Sequence, residues 1–251
     1  MTTQRKIGGV IVLAVAAVAL LSLVWTPFDP LQADVQNRLQ GTSAAHWMGT
    51  DQFGRDITSR VMDGARLTLT VAIGAVGLSA LGGVPLGIWA GMRRGAARLV
   101  MAGADLLLAF PALLLAIVFT AVFGASIWIV VLAIGIAGIP GFVRVARAGT
   151  LQVMQNDYIL AARIAKVSGP VIAWRHVLPN IWPIVLTQVS VAVALAILAE
   201  AGLSFLGLGS PAPYASWGRM LQASQPFLAL SLIHISEPTR PCGTSRMPSS
   251  A

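Results

Sequence analysis

Long apolar stretches separated by short charged clusters run along most of the chain. Four windows contain no Lys or Arg and at most one acidic residue: residues 7–28, 67–92, 99–143 and 176–218. A membrane-spanning helix needs about 20 mostly apolar residues, so each window can hold one span and the third can hold two. The pattern predicts an all-α integral membrane fold with five complete transmembrane helices and the start of a sixth. These helices are expected at Ile7–Phe28, Leu67–Met92, Leu99–Phe123, Ile127–Phe142, Ile181–Leu208 and from Met220 onward.

Composition supports a membrane protein and excludes two other classes. Hydrophobic residues make up 56% of the 251 residues, charged residues make up 10%, and the mean hydropathy is +0.79. Soluble domains carry about 25% charged residues, and disordered chains have low hydrophobicity. The net charge of +8 does not indicate nucleic-acid binding, because the basic residues lie between apolar runs and form no stripe interleaved with aromatic residues.

The basic residues are distributed unevenly between the two sides of the predicted membrane protein. With the N-terminus inside, ten Lys and Arg residues fall in cytoplasmic segments and five fall outside. Positive residues accumulate on the cytoplasmic side, so this bias predicts a cytoplasmic N-terminus. The first helix is expected to be an uncleaved anchor, since its apolar stretch exceeds the roughly 7–15 residues of a signal peptide. Two long loops remain, an outer one at residues 27–66 and an inner one at residues 144–180.

Candidate chemistry is sparse. The sequence contains no phosphate-binding GxxxxGK[ST], zinc-binding HExxH or hydrolase GxSxG motif, so no catalytic residue is expected. Cys242 is the only cysteine, and His46 and His176 are isolated from other ligands, so no metal site is expected.

Two carboxylates lie inside the apolar windows, where ionisable groups are costly and suggest a function. Asp105 is expected near a cytoplasmic helix end, paired with water or with Arg98. Glu200 lies deeper in its window and has two open interpretations. It faces a polar pathway, or it fixes a helix-packing contact through a hydrogen bond.

Residues 157–166 of the inner loop predict a short helix. Asp157 is a suitable N-cap, because its carboxylate can accept a backbone N–H and favours the positive end of the helix dipole. A partner could approach the small residues of this helix closely and be held by its cations. These residues are Ala161, Ala162, Arg163 and Lys166. A basic loop resting on anionic lipid headgroups is the alternative. A second short run is expected to end at Pro179, before the fifth span.

The outer loop contains a polar motif between His46 and Asp56. Its glycines allow tight turns, and its charged side chains can pair locally. The residues concerned are Gly49, Thr50, Asp51, Gly54, Arg55 and Asp56.

The inner loop resembles the EAA signature of the permease subunits of binding-protein-dependent ABC importers. The similarity covers Leu160–Lys166 and the later Arg175–Asn180. Two positions depart from the signature, since Leu160 stands where it has Glu and Lys166 stands where it has Gly. In that family the loop forms a coupling helix that docks to the ATPase. The resemblance assigns this role to Asp157, Tyr158, Leu160, Ala161, Ala162, Arg163, Lys166 and Pro179.

Three further segments resemble the dipeptide, oligopeptide and nickel branch of these permeases. They are residues 46–56, residues 105–111, and residues 198–209 with the following 216–218. The resemblance implies a C-subunit of the type I ABC importer permease fold that imports peptides or nickel. The outer motif is then a folded periplasmic cap or a contact for the substrate-binding protein.

The resemblance also implies partners and a location. The chain would pair with a second permease as a heterodimer, with two ATP-binding subunits and with a periplasmic or lipoprotein substrate-binding protein. ATP and Mg would be bound by the partner subunits, and this chain would bind no cofactor and catalyse no reaction. It would be a multi-pass protein of the bacterial inner membrane. The alternative is an ion-coupled secondary transporter that uses Glu200 or Asp105.

From Leu230 onward the composition changes abruptly. Residues 230–240 and 245–251 resemble translated sequencing-adapter sequence, with a sample index between them. The chain is therefore expected to be a C-terminally truncated permease with a non-native tail. The predicted divisions are an N-terminal anchor and periplasmic loop at 1–66, an incomplete ABC transmembrane type-1 permease domain at 67–229 and the tail at 230–251.

Overall fold

The computed structural model describes residues 3–209, 211 and 213–236, most of which are helical. No β-strand occurs in this part of the chain, and the prediction of an all-α fold is confirmed there. Of the predicted tail at residues 230–251, only residues 230–236 are described, and Cys242 lies outside the described residues. The helices are α1 (Thr3–Leu21), α2 (Ile57–Met92), α3 (Arg94–Ala109), α4 (Ala112–Phe123), α5 (Ile127–Val153), α6 (Asp157–Ile164), α7 (Gly169–Ile172), α8 (Leu178–Phe205) and α9 (Trp217–Ser236).

Three helical runs of the described chain are long and apolar enough to cross a membrane: α2, α5 and the continuous run Gly169–Phe205. The pair α3 and α4 passes the same test only when taken together, which gives at most four spans. The apolar part of α1, Lys6–Leu21, is shorter. A helical membrane protein with several spans is therefore confirmed, whereas the predicted count of five complete helices and a sixth is not.

The predicted third span, Leu99–Phe123, is broken into two helices. α3 ends at Ala109, α4 begins at Ala112, and the two are bent by 80°. Pro111 causes the break, because proline has no N–H to donate and disfavours a helical conformation in the residue before it. Phe110 accordingly has an extended backbone, with φ −93° and ψ 124°. The prediction of one continuous helix in this window was wrong.

Several helix ends differ from the predicted ones, although α2 ends at Met92, α4 ends at Phe123 and α5 begins at Ile127 as predicted. α1 ends at Leu21, before the predicted Phe28. α2 begins at Ile57, ten residues before the predicted Leu67, and α5 continues to Val153, eleven residues past the predicted Phe142. Charged residues mark where a segment leaves the apolar environment, and backbone hydrogen bonding continues past them. The inner loop is consequently shorter than predicted.

Helices α2, α5 and α8 form the main core of the described bundle. Its buried side chains include Val76, Ile88, Phe142, Ala146, Ile181 and Val185. α2 and α5 approach closely at Gly87, where a Cβ atom would lie 2.6 Å from the Val143 carbonyl oxygen. A second buried cluster joins α4 to these helices through Ala116, Val130 and Leu203. Close approach of this kind strengthens van der Waals packing, which drives helix association in membranes.

Candidate functional site

The inner-loop helix predicted from the sequence is α6. Its N-cap is Asn156, which has an extended backbone at φ −77° and ψ 145° and whose carbonyl accepts the Ile159 N–H at 3.0 Å. Asp157 lies one residue later, inside the first turn, so the prediction that Asp157 caps the helix was wrong. The chain becomes helical one residue earlier than expected. The Asp157 carboxylate nevertheless lies where the helix dipole favours negative charge.

α6 has a buried face and an exposed face. Ile159 is only 1% exposed and belongs to the main core, against which Ala162 is also packed. Leu160 and Ile164 are 58% and 75% exposed and lie one helical turn apart, beside the exposed Arg163. An apolar surface flanked by a cation therefore points away from the core. The sequence reasoning missed Ile159 as the anchor and Ile164 as part of the surface, although their helical spacing was visible.

Lys166 occupies a left-handed backbone conformation immediately after α6, with φ +57°. The Val167 N–H donates to the Ala162 carbonyl at 3.0 Å, and the Lys166 N–H donates to the Arg163 carbonyl at 2.9 Å. This pair of bonds is the Schellman motif, in which glycine is usual at the left-handed position. The left-handed turn therefore lies at the position where the EAA signature has Gly, and Lys166 occupies that position here.

The helix that begins at Gly169 does not stop at Pro179. Residues 169–205 form one continuous helical run that contains a π-helical turn at Ala173–Val177. In that turn the Leu178 N–H donates to the Ala173 carbonyl, five residues back. This wider hydrogen-bonding pattern accommodates Pro179, which has no backbone N–H to donate. The prediction of a break at Pro179 was wrong. Tyr158 of α6 lies beside His176 of the π-helical turn, with ring centroids 6.1 Å apart.

The outer motif folds on itself around Asp51. One Asp51 carboxylate oxygen accepts the N–H groups of Phe53 at 2.8 Å and Arg55 at 3.0 Å, and the other accepts the Arg55 Nε–H at 2.8 Å. Gly54 has φ +76°, and a Cβ atom there would collide with the Asp34 carbonyl. A side chain at position 54 is therefore excluded by both space and conformation.

Gly49 and Thr50 join this turn to the chain on either side. Gly49 also has a positive φ of +76°, and its carbonyl accepts the Ile57 N–H at 3.1 Å. The Thr50 hydroxyl accepts the Gln40 N–H at 2.9 Å and donates to the Asn37 carbonyl. The motif is consequently held to the N-terminus of α2 and to the preceding loop.

Asp56 caps α2. Its Oδ2 accepts the Ser59 N–H and the Ser59 hydroxyl, each at 2.7 Å, and its Oδ1 lies 3.0 Å from the His46 Nδ1. Burial alone would raise the pKa of Asp56, but the hydrogen bonds from Ser59 and the neighbouring His46 outweigh it, so the pKa lies below its ordinary value of 3.8. All six predicted residues of the outer motif thus contact one another or the adjoining backbone. Trp47 and Met48 beside them are exposed.

Glu200 is fully buried where α8 meets α2. Its Oε2 accepts the Thr68 hydroxyl at 3.0 Å, and its Oε1 accepts the hydroxyl of Ser204, one turn further along α8, at 2.6 Å. Thr68 and Glu200 are 132 residues apart in the sequence. Sequence reasoning selected Glu200 but could not identify Thr68 as its partner.

Asp105 pairs with Arg144 and not with Arg98. The Arg144 Nη2 lies 2.7 Å from the Asp105 Oδ1, and both side chains are more than half exposed. The prediction of an Arg98 partner was wrong because α3 packs beside α5, which brings Arg144 to Asp105. An exposed ion pair of this kind contributes little to stability.

A cavity of about 230 Å³, called here the central cavity, lies among α2, α4, α5 and α8. Alanine and glycine line much of it, and its polar groups are the Ser79 hydroxyl and the Gln188 amide. Ser79 lies 2.6 Å from the Gly135 carbonyl. Within the described residues the Gln188 amide has no hydrogen-bond partner. Also within those residues, no three His, Cys, Asp or Glu side chains come together in a way that could hold a metal ion.

Residues 83–236, which include α6, α8 and Glu200, match the family described as binding-protein-dependent transport system inner membrane component. The chain is 37% identical to a dipeptide transport system permease protein of Alkalihalophilus pseudofirmus over 88% of this chain and 73% of that protein. It is 38% identical to a glutathione transport system permease protein of Pectobacterium atrosepticum over 87% of this chain and 73% of that protein.

Proposed function

The chain belongs to the family of inner membrane components of binding-protein-dependent transport systems, and from this premise we propose that it forms part of the translocation path of an ATP-driven peptide importer. The protein is a transport permease subunit and not an enzyme. The relatives named for dipeptide and glutathione transport support a peptide cargo. The central cavity is the part of the chain that we assign to this path.

The chemistry of the central cavity favours a peptide over nickel. Its lining includes the neutral Ser79 and Gln188 and no His, Cys, Asp or Glu. Imidazole and thiolate ligands suit Ni²⁺, whereas amides and hydroxyls can exchange hydrogen bonds with a peptide backbone. Nickel remains the second candidate cargo, with its recognition expected in a separate substrate-binding protein.

The peptide proposal is tested by uptake of a labelled dipeptide and of ⁶³Ni²⁺ in cells that express the whole importer. We expect dipeptide uptake, and we expect Gln188→Leu to reduce it because the free amide of the cavity is lost. Gln152→Leu is the matched control, since Gln152 is exposed on α5 outside the cavity. Saturable nickel uptake without dipeptide uptake would contradict the proposed cargo.

We assign coupling to the ATPase subunits to α6. The surface formed by Leu160, Arg163 and Ile164 is exposed, while Ile159 anchors the helix in the core. Exposed apolar side chains beside a cation are typical of a protein-binding site. Leu160 stands where the family signature has Glu, and its exposure of 58% means that an acidic side chain would fit there without a clash.

The coupling motion would pass from α6 along α8 to α2. Tyr158 contacts His176 of the π-helical turn, and the run Gly169–Phe205 continues from there to Glu200. At about 1.5 Å per residue, residues 178 and 200 lie roughly 33 Å apart along the helix axis. The bond from Thr68 to Glu200 then joins α8 to α2. We infer that Glu200 fixes helix packing and does not face the cargo.

The remaining assignments follow from the family and are proposals. They are a heterodimer with a second permease, two ATP-binding subunits that hold ATP and Mg, and a periplasmic or lipoprotein substrate-binding protein. They also include a cytoplasmic N-terminus in the bacterial inner membrane, the outer motif as a folded periplasmic cap, and the domains at residues 1–66 and 67–229.

Charge reversal on α6 tests the coupling assignment. We expect Arg163→Glu to weaken co-purification of the ATPase subunits and to lower transport while leaving membrane insertion unchanged. Arg98→Glu is the matched control, because Arg98 is exposed on α3, away from α6. Leu160→Glu, which restores the signature residue, should be tolerated or improve coupling. Normal ATPase co-purification and transport by Arg163→Glu would remove the assignment.

A further inference from the structure

A large apolar groove lies between the C-terminal half of α2 and the helical run that begins at α7. Its volume is about 690 Å³, which is within the roughly 300–1,000 Å³ of small-molecule sites. We call it the tryptophan groove, because Trp89, Trp174 and Trp182 line it together with Leu81, Val185 and Arg93. It is separate from the central cavity, with which it shares no lining residue.

The aromatic side chains of this groove have the character of a membrane interface. Trp174 is 75% exposed, and Trp89 and Trp182 are each about half exposed. Tryptophan prefers the depth at which lipid headgroups meet acyl chains. In the orientation proposed above, the end of α2 and the start of α8 lie at the cytoplasmic surface, so the groove opens towards the cytoplasmic leaflet.

The groove and the chain segments that adjoin it carry positive charge. Arg93 lines it directly, and Arg94, Arg98 and Arg175 are exposed in the same two chain segments. Residues 93–104 and 165–180 contain no acidic residue. Asp105, which follows the first of these segments, is paired with Arg144. An occupant of the groove would therefore meet apolar walls and cationic side chains with no acidic residue of either segment to neutralise them.

We propose that the tryptophan groove binds an anionic phospholipid of the cytoplasmic leaflet, with an acyl chain between the tryptophans and the phosphate beside Arg93. Basic pockets between transmembrane helices on the cytoplasmic side are suited to such headgroups. An apolar protein helix in the same place would bury Arg93 without a counter-charge, which is unfavourable. A lipid leaves the guanidinium at headgroup level. This inference rests on the proposed orientation.

Tryptophan quenching by brominated lipids tests the proposal. The importer complex, purified from membranes with its full-length chains, is reconstituted into phosphatidylcholine vesicles that contain either brominated phosphatidylglycerol or brominated phosphatidylcholine at equal mole fraction. We expect the anionic lipid to quench more strongly. Trp174→Phe should reduce the excess quenching, because Trp174 is the most exposed of the three tryptophans of the groove. Trp128→Phe should retain it, because Trp128 is exposed at the start of α5, at the opposite end of the bundle from the groove.

Substitution of Arg93 tests the role of charge. Arg93→Gln should weaken the apparent affinity for phosphatidylglycerol about fivefold, the effect of one cation near an anionic surface, and Arg98→Gln should change it less. Equal quenching by the two lipids, or an unchanged preference in Arg93→Gln, would overturn the proposal. Protection of Trp174 from both lipids in the complex would also overturn it and assign the groove to a partner subunit. Because this measurement requires no transport, its failure is distinguishable from a failure of the proposed importer function.

Discussion

Replacement of Glu200 distinguishes a structural role of this carboxylate from a role in the cargo path. Glu200 is fully buried, and its carboxylate accepts hydrogen bonds from the hydroxyl groups of Thr68 in α2 and of Ser204 in its own helix. Only the first of these bonds crosses between helices. We therefore expect Glu200→Leu to destabilise the contact of α2 with α8, and we expect the effect to depend on Thr68.

The expected magnitude follows from these contacts. Hydrogen bonds between membrane helices contribute about 0.6 kcal/mol on average and about 1.7 kcal/mol at most. In Glu200→Leu the Ser204 hydroxyl can instead donate to the backbone carbonyl four residues earlier. The loss of its bond to the carboxylate therefore adds little to the destabilisation. A double-mutant cycle of Thr68→Val and Glu200→Leu should then give a coupling energy of about 1 kcal/mol.

The assay is equilibrium unfolding in mixed detergent and SDS micelles, followed by tryptophan fluorescence, with dipeptide uptake measured in parallel. Glu200→Gln keeps the volume and one acceptor oxygen, so it should lose less stability than Glu200→Leu. Ser190→Ala is a control on α8, because its exposed hydroxyl bonds only to the Leu186 carbonyl. A coupling energy near zero, with normal stability and lost uptake in Glu200→Leu, would refute the packing role and place Glu200 in the cargo path.

Two other substitutions have defined outcomes. The lowered pKa of Asp56 means that its capping contribution is present above pH 3.8 and is lost as the pH falls below that value through the folded-state pKa. Hydrogen-exchange protection of the Ser59 amide, corrected for intrinsic rates, should fall in that range, and Asp56→Asn should abolish the pH dependence. Lys166→Gly should stabilise the turn after α6 by about 0.5–1 kcal/mol, because the left-handed strain of about 1–2 kcal/mol is partly offset by a more flexible unfolded chain. Protection of the Val167 amide measures this gain, and Lys166→Ala, which removes the charged side chain but keeps the Cβ atom, should not show it.

The sequence predicted several local features of the fold. The apolar windows indicated an all-α membrane protein and located the central parts of α2, α5 and α8, because the cost of placing charge in lipid depends on residue type. The inner-loop pattern predicted α6, and the glycines of the outer motif predicted its tight turns. These features depend on residues that are close together in the chain.

Other features required information that neighbouring residues do not contain. The exact start of α2 and end of α5 lie outside the apolar windows, where backbone hydrogen bonds continue past charged residues. The break at Phe110 and Pro111 was visible in the sequence as a proline, but its 80° bend was not. At Pro179 the local signal predicted a break, and the π-helical turn accommodated the proline instead.

The partners of Asp105 and Glu200 were decided by the tertiary structure. Asp105 had a nearby candidate in Arg98, yet it pairs with Arg144 because α5 packs against α3. Glu200 could be selected from the sequence as a costly carboxylate in an apolar window. Its contact with Thr68, 132 residues away in the sequence, supports the proposed packing role and was not visible from neighbouring residues. Composition determines which segments enter the membrane, whereas the partner of a polar group there is set by which helices pack together.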